Sequence, residues 1–197
     1  MIHPDTELRF IDDTVGFGVF ATAPIPRGTI VWVLCRFDIV LTPDDVRNLP
    51  AAYRPIVETY AYGNPDGNRV LCWDHGRSVN HSCAPAMRGL GTQMEIAVRD
   101  IAAGAQLTCE YGSLNLTYDL QCRCGAPNCR GTIKPDDVLR LGEQWDREVA
   151  EALPFAAKVP QPLLDFARDT CEFWDWANGK TAVPSHRSNH VGAASNI

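Results

Sequence analysis

The chain has 197 residues and a formal charge of −6, with 18 Lys and Arg against 24 Asp and Glu. That length holds one domain with an appendage. An acidic balance without long runs of either sign argues against a nucleic-acid backbone binder and suits a partner that is itself basic, such as a Lys-rich peptide.

The first residues, Met1-Ile-His-Pro, lack the basic and apolar regions of a signal peptide, and no apolar run reaches membrane-spanning length. A soluble, intracellular protein is expected, cytoplasmic or nuclear, with a secreted effector as the alternative. Leu8-Arg-Phe-Ile11 reads as a short strand stopped by Asp12-Asp13. Gly16 and Gly18 follow, where glycine permits either a hairpin turn or close backbone approach to a ligand. After a turn at Pro24 to Gly28, the β-branched and aromatic run Thr29 to Leu34 predicts a buried strand. Thr42, then Pro43 and two acids, marks a helix start. The stretch through Tyr53, Tyr60 and Tyr62 is an insertion. Asn64-Pro-Asp-Gly-Asn68 predicts a hairpin tip before Val70 to Trp73.

Arg77-Ser-Val-Asn80-His81-Ser-Cys83 comes next, gathering an amide, an imidazole and a thiol within four positions. Met94 to Val98 alternates like a half-buried strand, and Gln106 to Glu110 is a strand ending at Tyr111. Repeated short strands broken by turns predict a mainly β domain. Beyond Cys129 the period changes: Val138, Leu141, Trp145, Val149 and Leu153 predict an amphipathic helix, and Leu163, Ala167, Cys171 and Trp174 repeat the signal. From Gly179 onward the composition predicts a disordered tail.

The eight cysteines are not spaced as a disulfide framework. Cys122, Cys124 and Cys129 are packed together, while Cys35, Cys72, Cys109 and Cys171 lie singly in apolar patterns. A tetrahedral zinc site wants a fourth ligand, and Cys83 is the natural one. Paired disulfides or inert core cysteines are the alternatives.

Taken together, Gly16-Phe-Gly-Val-Phe-Ala, Arg77 to Cys83, Gln106-Leu-Thr-Cys-Glu-Tyr111 and Cys122-x-Cys-Gly-x-x-x-Cys-Arg-Gly131 resemble a SET-domain protein-lysine N-methyltransferase with a post-SET zinc segment. The resemblance covers roughly Leu8 to Ile133. It implies the SET β-clip fold of short sheets, with the segment ending at Tyr111 threaded beneath the Asn-His-Ser-Cys loop as a pseudoknot. The expected organisation is a SET domain over 1–120, a post-SET zinc segment over 121–134, a helical extension over 135–178 and a tail over 179–197.

The resemblance also implies S-adenosylmethionine as methyl donor, bound by Gly16, Phe17, Gly18, Arg77, Asn80, His81, Tyr111 and Ile133. Tyr111 would be the catalytic residue, orienting the amine against the methyl group. A structural Zn2+ would be held by Cys83, Cys122, Cys124 and Cys129, four thiolates leaving no open position. The substrate would be a basic Lys-containing protein such as a histone tail, with no direct nucleic-acid or membrane partner and the oligomeric state open.

Four departures from the family pattern bear on the lysine channel and its surroundings. Glu110 stands where Asp is commoner, Ala86 or Met87 where an Asn is expected, and Leu71 where a channel Tyr is expected, so Trp73, Tyr60 or Tyr62 must supply that wall. Cys109 stands where Phe or Tyr is usual, and its small thiol predicts room for di- or trimethylation. No general base is visible among the motifs. The competing expectation is a catalytically weak or inactive SET module that binds peptides.

Overall fold

The computed structural model describes residues 1–167 and 171–191. Strands β1 (Thr6–Asp12) and β2 (Gly16–Ala21) form a hairpin whose turn needs the positive φ of 76° at Gly16. β3 (Ile30–Val33) is buried along its whole length, as its apolar run requires. β4 (Ile39–Leu41) leads to α1 (Pro43–Asn48), where Thr42 and Asp45 form a reciprocal capping box. The insertion becomes α2 (Arg54–Tyr60) and β5 (Ala61–Gly63), which turns at Asn64 to Asn68 into β6 (Arg69–Leu71). β7 (Asn80–His81), β8 (Met87–Leu90), β9 (Met94–Ala97) and β10 (Gln106–Cys109) follow. The small pair β11 (Leu120–Gln121) and β12 (Thr132–Ile133) closes the cysteine-rich segment.

These strands form short sheets in the orders β1-β2-β10-β7, β3-β9-β8 and β4-β6-β5. β10 is the strand that positions the site. It lies between β2, antiparallel, and β7, parallel, so a late segment is slotted between two earlier ones. Backbone bonds from Ser82 to the Cys109 carbonyl and from Ala86 to the Thr108 carbonyl hold the loop after β7 against it. This is the threaded arrangement that the motifs imply.

Two apolar clusters support the sheets. One packs Val19, Val31, Met87 and Leu107 between them. The other lies under α3 (Asp137–Ala152), which buries Val138, Trp145 and Val149 at the expected three- and four-residue steps. Each such side chain contributes about 1.5–3 kcal/mol on burial. The second expected helix is shorter than its periodicity suggests. A 3-10 turn occupies Leu164–Phe166 and α4 spans Cys171–Ala177, the link at 168–170 lying outside the described residues.

The disordered tail is corrected by the structure as far as Val191. Ser185 caps a 3-10 turn at His186–Asn189. Asp146 on α3 accepts bonds from the Ser185 hydroxyl (2.5 Å) and the His186 backbone (2.8 Å), and the Asn189 amide donates to the Gly91 carbonyl at 3.0 Å. Composition counted these polar residues as solvent-seeking, whereas here they meet specific partners. Residues 192–197 lie outside the described residues.

Candidate active site

The strand slotted between β2 and β7 brings three of the motifs together. Asn80 donates its side-chain amide to the Phe17 carbonyl at 3.0 Å, fixing the backbone of the Gly16–Gly18 stretch. Gly18 lies close under two side-chain ends: a Cβ there would lie 2.5 Å from Gln106 Nε2 and 3.1 Å from Asn80 Nδ2, so a larger residue would have to displace them. Phe17 is half exposed beside it. The result is an open backbone shelf with a fixed amide at its edge.

His81 points the other way, into the protein. Its Nδ1 accepts the Tyr111 N–H at 3.2 Å, so the proton resides on Nε2, 3.3 Å from Cys83 Sγ. Burial lowers its pKa to about 4, with Arg130 and Arg88 adding to the effect and Glu110 opposing it. A neutral imidazole can donate to that sulfur, while burial raises the Cys83 thiol above its ordinary value. The Tyr111 hydroxyl donates to the Val79 carbonyl at 2.9 Å, and burial raises its pKa above the usual phenol value.

Four thiols converge behind this shelf. Cys83 Sγ lies 3.8 Å from Cys122 Sγ, which lies 3.7 Å from Cys129 Sγ, while Cys124 Sγ accepts the Cys83 N–H at 3.4 Å. A tetrahedron of zinc–sulfur bonds near 2.3 Å has edges of about 3.8 Å, so the sulfur spacing fits zinc. Burial alone would raise the Cys124 thiol, yet backbone N–H groups of Cys83 and Ala126 hold its pKa below the ordinary value, which favours a metal-binding thiolate. The ligand atoms of His81, Cys83, Cys122 and Cys124 lie within 4.8 Å of one another, so the imidazole stands at the same centre. Ile133 is buried against Cys83 and Cys122.

Glu110 ties this cluster to the strand. Its carboxylate accepts two bonds from Arg130 (2.6 and 2.9 Å) and one from the Gly112 N–H at 2.9 Å. The methylene that separates it from Asp provides reach toward Arg130. Burial opposes ionisation of Glu110, but the Arg130 guanidinium and the Gly112 N–H outweigh it and leave its pKa lowered.

On the far side of Tyr111 opens a cavity of about 610 Å³. Tyr60, Tyr62, Cys109 and Arg77 line it, as does Tyr111 itself. Arg77 also donates to the Trp73 carbonyl at 3.3 Å. Trp73 does not line the cavity; it is exposed and its ring rests 5.5 Å from that of Phe37. Trp32 lines the cavity in its place, edge-on to Tyr62 at 5.9 Å. Sequence reasoning missed Trp32 because it lies in a strand that reads as plain core. Glu95, His186 and Asn189 were missed as well. The alternation of Met94 to Val98 places Glu95 off the apolar face, which was the available signal.

Fold and site define a β-rich domain in which a threaded strand separates a glycine shelf from an aromatic cavity. Residues 16–112 match the SET domain, and the chain belongs to the SET-domain family. It is 31% identical over 146 residues to histone-lysine N-methyltransferase ash1 of Drosophila melanogaster, covering 67% of this chain and 6% of that protein. It is 30% identical over 136 residues to histone-lysine N-methyltransferase ATX2 of Arabidopsis thaliana, covering 62% of this chain and 12% of that one. The chain thus spans a small fraction of the length of these relatives. The crystal structure of the methyltransferase domain of human histone-lysine N-methyltransferase SETMAR shares the fold, with a TM-score of 0.50 at 17% identity over 68% of this chain and 58% of that one. Among the described residues no helix is long and apolar enough to cross a membrane.

Proposed function

We propose that the protein transfers methyl groups to the ε-amine of lysine in a basic protein, with S-adenosylmethionine as donor. The observation that carries this reading is the position of Tyr111. Its backbone is bonded to His81 beside the shelf, and its ring borders the aromatic cavity, so one residue stands where a donor on one face and an amine from the other would meet. The open glycine at Gly16 and the amide of Asn80 suit a ligand lying along backbone, and these residues with Phe17, Gly18 and His81 would hold the donor. The donor supplies a methyl group on a sulfonium, which needs no metal for transfer. The chain's task is to align the amine, exclude water and keep the amine unprotonated. Zinc at Cys83, Cys122, Cys124 and Cys129 would order the segment that carries Arg130 and Ile133.

A histone tail or another Lys-rich segment is the substrate class, in keeping with the acidic charge and with the histone-lysine N-methyltransferases that the chain is similar to. Cys109 leaves a small thiol at the cavity wall, and we expect di- or trimethyl-lysine as product. An interior, reducing compartment suits cysteines that, among the described residues, are not joined in disulfides. Radiolabelled methyl transfer onto a lysine-peptide array, with calorimetric titration of S-adenosylmethionine, tests the reading. Donor binding without transfer would instead establish a peptide-binding module.

A further inference from the structure

One carboxyl group on the central strand of its sheet lines the cavity without a role in the site described so far. β9 sends Met94 and Ile96 into the apolar cluster under α3, so Glu95 between them faces the opposite side and lines the cavity. Its cross-strand partners are Trp32 on β3 and Gly89 on β8. Partners in register share a face. Trp32 therefore walls one flank of Glu95, while the glycine leaves the other open.

The open flank is occupied by the C-terminal segment. A Cβ built on Gly89 would lie 3.5 Å from His186 Nε2. His186 is only 4% exposed, and its Nδ1 is 2.7 Å from Asp146 Oδ1, which leaves Nε2 as the acceptor nitrogen. That nitrogen has no hydrogen-bond partner among the described residues. The inner end of the cavity is thus built from polar groups, unlike its aromatic walls.

Every other charged or titratable neighbour of Glu95 can be named. Arg88 on β8 is bonded to Glu148 at 2.7 Å and lies over the Trp145 ring, on the α3 side of the sheet. Burial raises the pKa of Cys109 and of Tyr111, the Glu95 charge adds to the rise in each, and Cys72 lies next to Cys109. Glu58, Arg69, Arg77, Tyr60, Tyr62 and Tyr118 also line the cavity. Burial pushes the Glu95 carboxyl up to about 7, against the pull of Arg88. Glu95 is part-exposed to the cavity, and a carboxyl kept in a cleft near neutral pKa is a signature of proton transfer.

Resting on the lysine-methylation reading, we propose that Glu95 is the proton acceptor for the incoming lysine ammonium. A nitrogen–hydrogen bond of the ammonium breaks as an oxygen–hydrogen bond forms on the Glu95 carboxylate, which frees the nitrogen lone pair. That pair forms the new carbon–nitrogen bond as the methyl–sulfur bond breaks, its electrons staying on sulfur as the neutral thioether. The product is a methylammonium. Each further methylation requires another proton to leave, so Glu95 must return its proton to solvent between rounds.

The test uses the full chain, S-adenosylmethionine and mixed core histones or poly-lysine as acceptor, with initial rates from pH 6 to 9.5. Wild type should gain about tenfold per pH unit below about 7 and then level off. Glu95→Gln should be on the order of 100-fold slower near pH 7, a typical loss for a general base, with donor affinity unchanged and a continuing rise toward alkaline pH as free amine accumulates. Glu95→Asp should fall between the two. Loss of the same factor at every pH in Glu95→Gln, or a wild-type profile without a break between pH 6 and 8, overturns the proposal while leaving lysine methylation standing. A wild type that binds the donor but transfers no methyl at any pH overturns both.

Discussion

Replacing Glu110 by Ala tests how the cysteine segment is fastened to the strand that ends at Tyr111. The side chain is 2% exposed and holds Arg130 through two charge-assisted bonds, with Gly112 and, at 3.5 Å, Arg88 on its remaining sites. Breaking a buried ion pair from one side costs about 3–5 kcal/mol where the other charge is left uncompensated; here Arg130 keeps Asp137 at 3.3 Å and Arg88 keeps Glu148 at 2.7 Å. Arg130 is 21% exposed and can be partly rehydrated, which favours the lower end, about 3 kcal/mol. For a chain of this size each kcal/mol moves Tm by about 2–4 °C, so Glu110→Ala should melt roughly 6–12 °C below wild type. Glu110→Gln keeps an acceptor for the Gly112 N–H and should lose about half as much. Differential scanning calorimetry on zinc-loaded protein makes the comparison. A Glu110→Ala shift under about 2 °C would refute the reasoning, because the pair would then be worth no more than an exposed one.

Tyr111→Phe removes the hydroxyl that meets the Val79 carbonyl and should lower turnover while leaving donor affinity nearly intact; single-turnover rates and calorimetric titration separate the two. Cys124→Ser removes one of the four clustered thiols and should release zinc and weaken donor binding together, which elemental analysis and titration of the same sample would check. Cys109→Tyr fills the small space in the cavity wall and should shift product toward monomethyl-lysine in mass spectra taken at exhaustive turnover. Glu95 in the fold ionises near 7, whereas in the unfolded chain it ionises near its ordinary 4.5. Its contribution is therefore fully present below about 4.5 and is lost as pH rises through about 7, amounting to roughly 1–3 kcal/mol. Glu95→Gln should match wild-type Tm at pH 4 and exceed it at pH 8, and equal Tm values at pH 8 would count against the raised carboxyl.

The strands, the capped helix at Thr42 and the amphipathic α3 were legible because local chemistry and burial agree there. The glycine shelf, Asn80, His81 and the cysteines were legible as motifs of fixed spacing. The inner cavity was not. Trp32 is indistinguishable from core in a buried strand, and Glu95 acquires its setting only when Gly89 pairs opposite it. His186 lies in a stretch whose composition reads as tail, and its burial depends on Asp146, 40 residues earlier in the chain. Trp73 shows the converse error: an aromatic next to a motif need not face the site.

The placement of β10 also bears on how the molecule comes into being. The shelf comes from residues 16–18, its edge from residues 80–81, the intervening strand from residues 106–109, the thiols from residue 83 and residues 122–129, and the inner end of the cavity from residue 186. Almost every contact that makes the site joins distant parts of the chain, and such contacts form slowly because loop closure precedes any gain from pairing. During synthesis β2 and β7 leave the ribosome before the strand that belongs between them, so the gap must stay open until β10 arrives. A nascent chain ending short of His186 would carry every motif and still lack one wall of its cavity.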